Sequence, residues 1–190
     1  MNPAGILLAA GRGRRFDPTG GRNKLLQPLP GGEPVVAASA RQLLSVVSRV
    51  VAVVPPEDGG VAALLRALGC EVTICDEADT GMGASLVQAV RHSLPAAGWL
   101  VALGDMPYVR ETTLAALRDA VREGAGIAVP VHRGQRGNPV AFGATHRDAL
   151  LALGGDQGAR RLLQAHPVLE VAVDDPGILR DIDLPADLPA

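Results

Sequence analysis

Aromatic side chains are nearly missing from this chain: two Phe, one Trp and one Tyr in 190 residues. A core built on ring packing is excluded, and Ala, Val and Leu must fill the interior. Two cysteines, Cys70 and Cys75, are too few for a disulfide framework or a zinc site. Small buried thiols at the ends of one strand are the expectation. No run approaches the ~18 apolar residues of a membrane span, and no charged amino-terminal region leads into an apolar signal core. A formal net charge of −2 leaves no global basic field to hold DNA or an anionic membrane. A soluble, cytoplasmic protein with neither nucleic acid nor membrane as partner is expected. The four histidines, His92, His132, His146 and His166, form no metal-ligand spacing, and no Ser-His-Asp set can be assigned. They are expected at the surface or in packing roles.

What remains is rich in small apolar residues, 47% hydrophobic overall. β-rich runs recur at 5–9, 49–54, 71–75, 99–103, 126–131, 139–142 and 168–173. Their apolar residues are nearly continuous, as in strands covered on both faces. Helical segments lie between them: "EPVVAASARQLLSVV", with Pro34 near its start, "EDGGVAALLRALG", closing at Gly69, "MGASLVQAVRHSL", "ETTLAALRDAVREG" and "DQGARRLLQAH". This alternation predicts one α/β domain, a mainly parallel sheet between helical layers. The closing "DDPGILRDIDLPADLPA" reads as a loop and a final turn. There is no internal repeat and no low-complexity segment.

The first strand empties into "AAGRGRRFDPTGGRNKLL". In an open α/β sheet, ligands sit beyond the carboxyl ends of the strands, so this loop lies where a ligand would be. Gly11 and Gly13 allow backbone N–H groups to approach an anion. Arg12, Arg14, Arg15, Arg22 and Lys24 offer positive charge, with Arg suited to bidentate phosphate contacts. No G-x-x-x-x-G-K-S/T is present, and "GRGRRF" lacks the third glycine of the dinucleotide fingerprint. A polyphosphate site and a mobile solvated loop both fit these residues.

Five further stretches stand out. "DTGMGASLVQAV" sets glycines around Met82 and Ser85 just inside a helix, which suits polar contacts or simply a flexible helix start. "WLVALGDMPYV" delivers Asp105 at a strand's carboxyl end. There it serves either as a turn residue or as a ligand for Mg²⁺, which takes one or two carboxylates plus phosphate and water. In "RDIDLPADL", Asp181 and Asp183 lie two apart and share one face when extended; solvated loop charges fit equally. "GQRGNPVAF" offers a turn at Asn138-Pro139, and "GGDQGARRLL" offers Asp156 as a helix cap ahead of Arg160 and Arg161.

Taken in order, these motifs resemble the MobA-like NTP transferases. The family pattern L-A-A/G-G-x-S/G-x-R-M/F-G followed by a lysine matches "LLAAGRGRRF…NKLL", with Asp17 in place of the last glycine and an insertion-like "PTGG" behind it. The resemblance implies a Rossmann-like three-layer α/β/α sandwich with a mainly parallel, mixed sheet of the nucleotide-diphospho-sugar transferase type. It implies nucleotide contacts from the backbone of Ala9, Ala10 and Gly11, and phosphate contacts from Arg15 and Lys24. Arg12, Arg14 and Arg22 have no counterpart and are expected to face solvent. The segment at Gly83 and Ser85 resembles the part that lines base and ribose. "GDMP" and "DIDLPAD" resemble the metal-binding motifs, which puts Mg²⁺ between Asp105 and Asp183, with Leu184 where Thr is usual. "RGNPVAF" and "GDQGAR" resemble the acceptor side and suggest Asn138 and Arg160. His is more usual than Asn138, and an amide cannot titrate as an imidazole does.

The set looks most like the molybdenum cofactor cytidylyltransferase branch, where "LAAG" accompanies cytidine. It implies CTP or another NTP as donor, molybdopterin as phosphorylated acceptor, and a molybdoenzyme as recipient of the product. Arg15, Lys24 and Asp105 are the expected catalytic groups. Three alternatives stand beside this reading. A sugar- or polyol-phosphate nucleotidyltransferase would change the acceptor, although such enzymes are often longer. An oxidoreductase on the same fold would need a dinucleotide site that the motifs do not show. A non-catalytic cofactor-delivery protein would not require two metal-facing carboxylates.

Overall fold

The computed structural model describes residues 2–154 and 158–189. Within them one eight-stranded sheet runs through the molecule. Its strands are β1 (Ala4–Leu8), β2 (Val50–Val54), β3 (Glu71–Ile74), β4 (Gly98–Leu103), β5 (Ile127–His132), β6 (Gln135–Arg136), β7 (Val140–Gly143) and β8 (Leu169–Ala172). The order is β3-β2-β1-β4-β7-β5-β6, with β8 beside β5. β3, β2, β1 and β4 pair in parallel, as do β5 and β8; β7 runs antiparallel to both β4 and β5. The sheet is therefore mixed and mainly parallel. Because β7 is inverted between two strands of common direction, β1, β2, β4 and β5 all end on one side of the molecule. The loops that follow these strands gather on that side.

Helices cover both faces. α1 (Val35–Val46), α2 (Val61–Ala67) and α4 (Glu111–Arg122) pack one side; α3 (Met82–Ser93), α5 (Arg147–Leu151) and α6 (Arg160–Ala165) pack the other. Each central strand feeds both cores by simple alternation. Leu7 and Leu100 point towards α1 and α4, whereas Ile6 and Trp99 point towards α3. Burying side chains of this size stabilises by roughly 1.5–3 kcal/mol each, which explains the near-continuous apolar runs. Trp99 spends its indole N–H on Ser93 Oγ at 2.8 Å, so its full burial leaves no polar atom unpaired.

Most expected elements are present, with ends moved by a residue or two, except that α2 and α6 begin four residues later than expected. α5 and the two-residue β6 were not anticipated. "HRDALL" is one short turn after a strand, and β6 is the far side of a tight hairpin, so neither shows a period. Gly69 stands just beyond α2 with φ +99°, as its capping role requires. The proposed cap Asp156 lies outside the described residues. Cys70 and Cys75 are free and buried, and burial alone pushes the Cys70 thiol up to about 11. His132 is buried against Val173 O, and His146 stacks edge-on with His166, both packing roles. No described helix is long and apolar enough to cross a membrane.

Candidate active site

The loop after β1 is folded by its own residues. Gly13, at φ +58°, turns the chain so that its carbonyl accepts from Phe16 N (2.9 Å) and Asp17 N (3.1 Å). Phe16 is buried with Val35 and Ile182, anchoring the turn under the carboxyl-terminal segment. Asp17, the departure from the family pattern, is spent on the loop itself. It accepts from Thr19 Oγ1 (2.6 Å), Thr19 N (2.9 Å) and Arg22 N (2.8 Å), and the Thr19 bonds lead in holding its carboxyl below the usual range. Among the described residues, the amides of 10–15 donate to no backbone carbonyl. Unspent N–H groups around glycines are what an anion would take.

Asn23, which the motif reading passed over, holds the next turn. Its side chain accepts from Leu25 N (3.0 Å) and donates to Asp58 O (3.2 Å) beyond β2. That turn aims Lys24 inward, where it is 7% exposed. Its ammonium sits 2.6 Å from Asp105 Oδ2 and 3.1 Å from Asp183 Oδ1. Arg15, largely exposed, reaches Asp183 Oδ2 at 2.7 Å. Burial pulls the Lys24 ammonium towards neutrality, but the Asp105 charge and the hydrogen bonds to both carboxylates outweigh it and raise its pKa. Asp181 is pushed up, chiefly by burial and then by the charges of Asp183 and Asp105.

Asp105 follows β4 through Gly104, where a Cβ would press on Leu8 O at 3.2 Å and Ala9 at 3.3 Å. Asp183 arrives from the far end of the chain. Its segment is bound by Ile182 N to Asp105 O (2.9 Å) and by Asn138 N to Ile178 O (3.0 Å). The Asp175 carboxylate, 2% exposed, accepts from Gly177 N, Arg110 N and Thr113 Oγ1 at 2.9, 2.8 and 2.7 Å. It therefore caps α4 and starts the segment's turn at once. Sequence reasoning missed Asp175: "DPG" signals a turn, but nothing local signals the partner helix. Asp187 braces Asp183 by accepting from its amide at 2.9 Å.

Beside this cluster opens a cleft of about 460 Å³ beyond β1, β2 and β3. Ala9, Gly11, Arg22, Asn23 and the 55–59 loop line it. Arg12, expected to face solvent, is exposed yet paired with Asp79 across this cleft. Arg22 lies over the Phe16 ring at 5.2 Å, and Arg14 is exposed as expected. Gly83 and Ser85 are buried in the first turns of α3 and are not among the lining residues. Asn138 joins the segment that carries Asp183, whereas Arg160 is exposed at the start of α6, with no ion pair among the described residues.

A model of the MobA-like NTP transferase domain matches residues 5–171. The chain belongs to the MobA-like NTP transferase family. The matched span stops short of Asp183, so the tertiary structure is what joins that residue to the MobA-like signature loop. The purine catabolism protein PucB of Bacillus subtilis is 34% identical, with 95% of this chain and 91% of PucB covered. The Mycobacterium tuberculosis protein Rv0371c, solved also in complex with manganese, superposes with TM-score 0.85 at 29% identity, covering 98% of this chain and 95% of its own. A nucleotidyl transferase from Methanothermobacter superposes with TM-score 0.83 at 27% identity, covering 98% and 94%. This MobA-like chain is thus a nucleotidyltransferase-type protein by family and fold. Two carboxylates suit a hard divalent ion that draws its other oxygens from phosphate and water; the described residues contain no cluster of three or more ligands. The manganese complex of Rv0371c fits a divalent-ion requirement.

Proposed function

We propose that the protein transfers a cytidylyl group from CTP to a phosphorylated acceptor, molybdopterin, with Mg²⁺ held by Asp105 and Asp183. The observation that carries this reading is the convergence of Lys24, Arg15, Asp105 and Asp183 from three distant parts of the chain. In this reaction an acceptor phosphate oxygen bonds to the α-phosphorus, the bond to the β-phosphate oxygen breaks, and pyrophosphate leaves. The attacking oxygen is already anionic, so no general base is required. Lys24 and Arg15 neutralise charge on the triphosphate, and the free amides of 10–15 orient it. The bound ion would supply Lewis-acid stabilisation of phosphate charge. The backbone of Ala9, Ala10 and Gly11 meets the nucleotide at the cleft, Gly83 and Ser85 support the ribose side from behind it, and Asn138 and Arg160 serve the acceptor.

The choice of CTP and molybdopterin rests on "LAAG", "GDMP", "RGNPVAF" and "DIDLPAD". A sugar-phosphate acceptor would use the same cation cluster, so a product assay decides between them. CTP, GTP, UTP and ATP are incubated with molybdopterin or with a panel of sugar and polyol phosphates, and pyrophosphate and the dinucleotide product are quantified. Turnover confined to CTP with the pterin is expected. Equal turnover with GTP, turnover only with a sugar phosphate, or thermal stabilisation by NADH rather than by nucleotide and metal would overturn the assignment.

A further inference from the structure

Among the described residues, Lys24 is the buried cation that touches both carboxylates assigned to the metal. With its ammonium in place, Asp105 Oδ2 and Asp183 Oδ1 are committed to Lys24, and Asp183 Oδ2 is committed to Arg15. Two cations face these two carboxylates, with Asp181 close enough to feel both acids and Asp187 close enough to feel Lys24. Lys24 is also packed in place. A Cβ on Gly13 would come within 3.4 Å of Lys24 Cγ and 3.6 Å of Cδ, so the loop closes on the lysine stem.

We propose that Lys24 holds the divalent cation's place until nucleotide arrives, so that the site takes up the metal–nucleotide complex in preference to the free ion. This rests on the transferase reading above and specifies its ligand. A dication entering alone must push the ammonium off both carboxylates, leaving two cations side by side in a partly buried site where their repulsion is weakly screened. A triphosphate removes that obstacle. Its oxygens give Lys24 and Arg15 new partners, release Asp105 and Asp183, and outweigh the added positive charge. The coupling is reciprocal by linkage, so the metal tightens nucleotide binding by the factor by which nucleotide tightens metal binding.

The test titrates Mn²⁺ by electron paramagnetic resonance into the full chain, alone and with α,β-methylene-CTP, for wild type, Lys24→Met and Arg15→Met. Wild type is expected to bind Mn²⁺ alone at least tenfold more weakly than Lys24→Met, and to gain tenfold or more in Mn²⁺ affinity when the nucleotide is present. Lys24→Met should show a smaller gain, the part that phosphate oxygens supply as metal ligands, and Arg15→Met, which frees only Asp183 Oδ2, should fall between. Should Lys24→Met fail to fold, Arg15→Met still decides: it should bind Mn²⁺ alone more tightly than wild type, because one cation no longer holds Asp183. Equal Mn²⁺ affinity in wild type and both variants, or a wild-type affinity indifferent to nucleotide, would overturn the proposal while leaving the transferase reading intact. Absence of any thermal shift by CTP, with chelator or with Mn²⁺, would remove the transferase reading and this inference together.

Discussion

The loop after β1 and the segment from Asp174 to Leu188 supply the two sides of one site, and they are built in opposite ways. The turns of the loop are made locally, although Phe16 packs on Ile182 and Arg12 pairs with Asp79: Gly13, Asp17 and Asn23 bond to residues at most five positions away, apart from the single Asn23 contact with Asp58 O. The segment is held from afar. Asp175 reaches α4 across 62 to 65 positions, and Ile182 N is tied to Asp105 O. Arg15 and Lys24 therefore inherit their aim from local turn chemistry, whereas Asp183 inherits its position from the sheet. The first region should tolerate change without loss of fold. The second should not.

Asp105 stands where the two regions meet and provides the largest effect. Asp105→Ala keeps the backbone carbonyl that receives Ile182 but removes the carboxylate that faces Lys24. Pyrophosphate release in Mg²⁺ should fall by about 10²–10³-fold, the usual cost of one such electrostatic group, with an unchanged circular dichroism spectrum. A variant retaining most of its turnover would deny Asp105 its role. Next comes Asp175→Ala, which strips three hydrogen bonds from a buried carboxylate and uncaps α4. Urea unfolding should report a loss of about 3 kcal/mol, and activity should decline with it because Asp183 loses its anchor. Loss of activity with stability untouched would show the segment to be self-supporting after all.

Asp17→Ala should have the smallest effect and the most diagnostic one. Only the loop's own bonds are lost, so the unfolding midpoint should stay in place while the nucleotide KM rises roughly three- to tenfold. A clear drop in stability would mean that the loop is as deeply embedded as the segment. The sign of its pH dependence follows from the lowered carboxyl pKa. The Asp17 bonds are intact at neutral pH and are lost only as pH falls through that lowered value.

The contrast also explains what could be read in advance. β1, β2 and β4 were legible because a strand buried on both faces leaves a continuous apolar signature, and the loop was legible because glycines and basic residues cluster within it. Asp105 could be placed at a strand end by local pattern alone. Asp183 could be singled out only through resemblance to a known motif, since nothing near it in the chain distinguishes it from Asp181. Asp175 escaped notice because its partner, α4, is distant in sequence, whereas Asn23 carried a local signal, an Asn capping the 24–26 turn, that motif matching does not weigh.

From sequence alone, then, came the class of fold, the side of the sheet that would bear a ligand, and the basic, glycine-lined loop placed there. These follow from periodicity and backbone preference, which act over a few residues. The tertiary structure alone decided that Lys24 would be clasped by Asp105 and Asp183, that Arg12 would pair across the cleft with Asp79, and that Asp175 would hold the last segment against α4. Each of those depends on bringing polar groups from separate stretches together, in buried places for Lys24 and Asp175 and at the exposed cleft for Arg12, and only the packed sheet determines which groups meet.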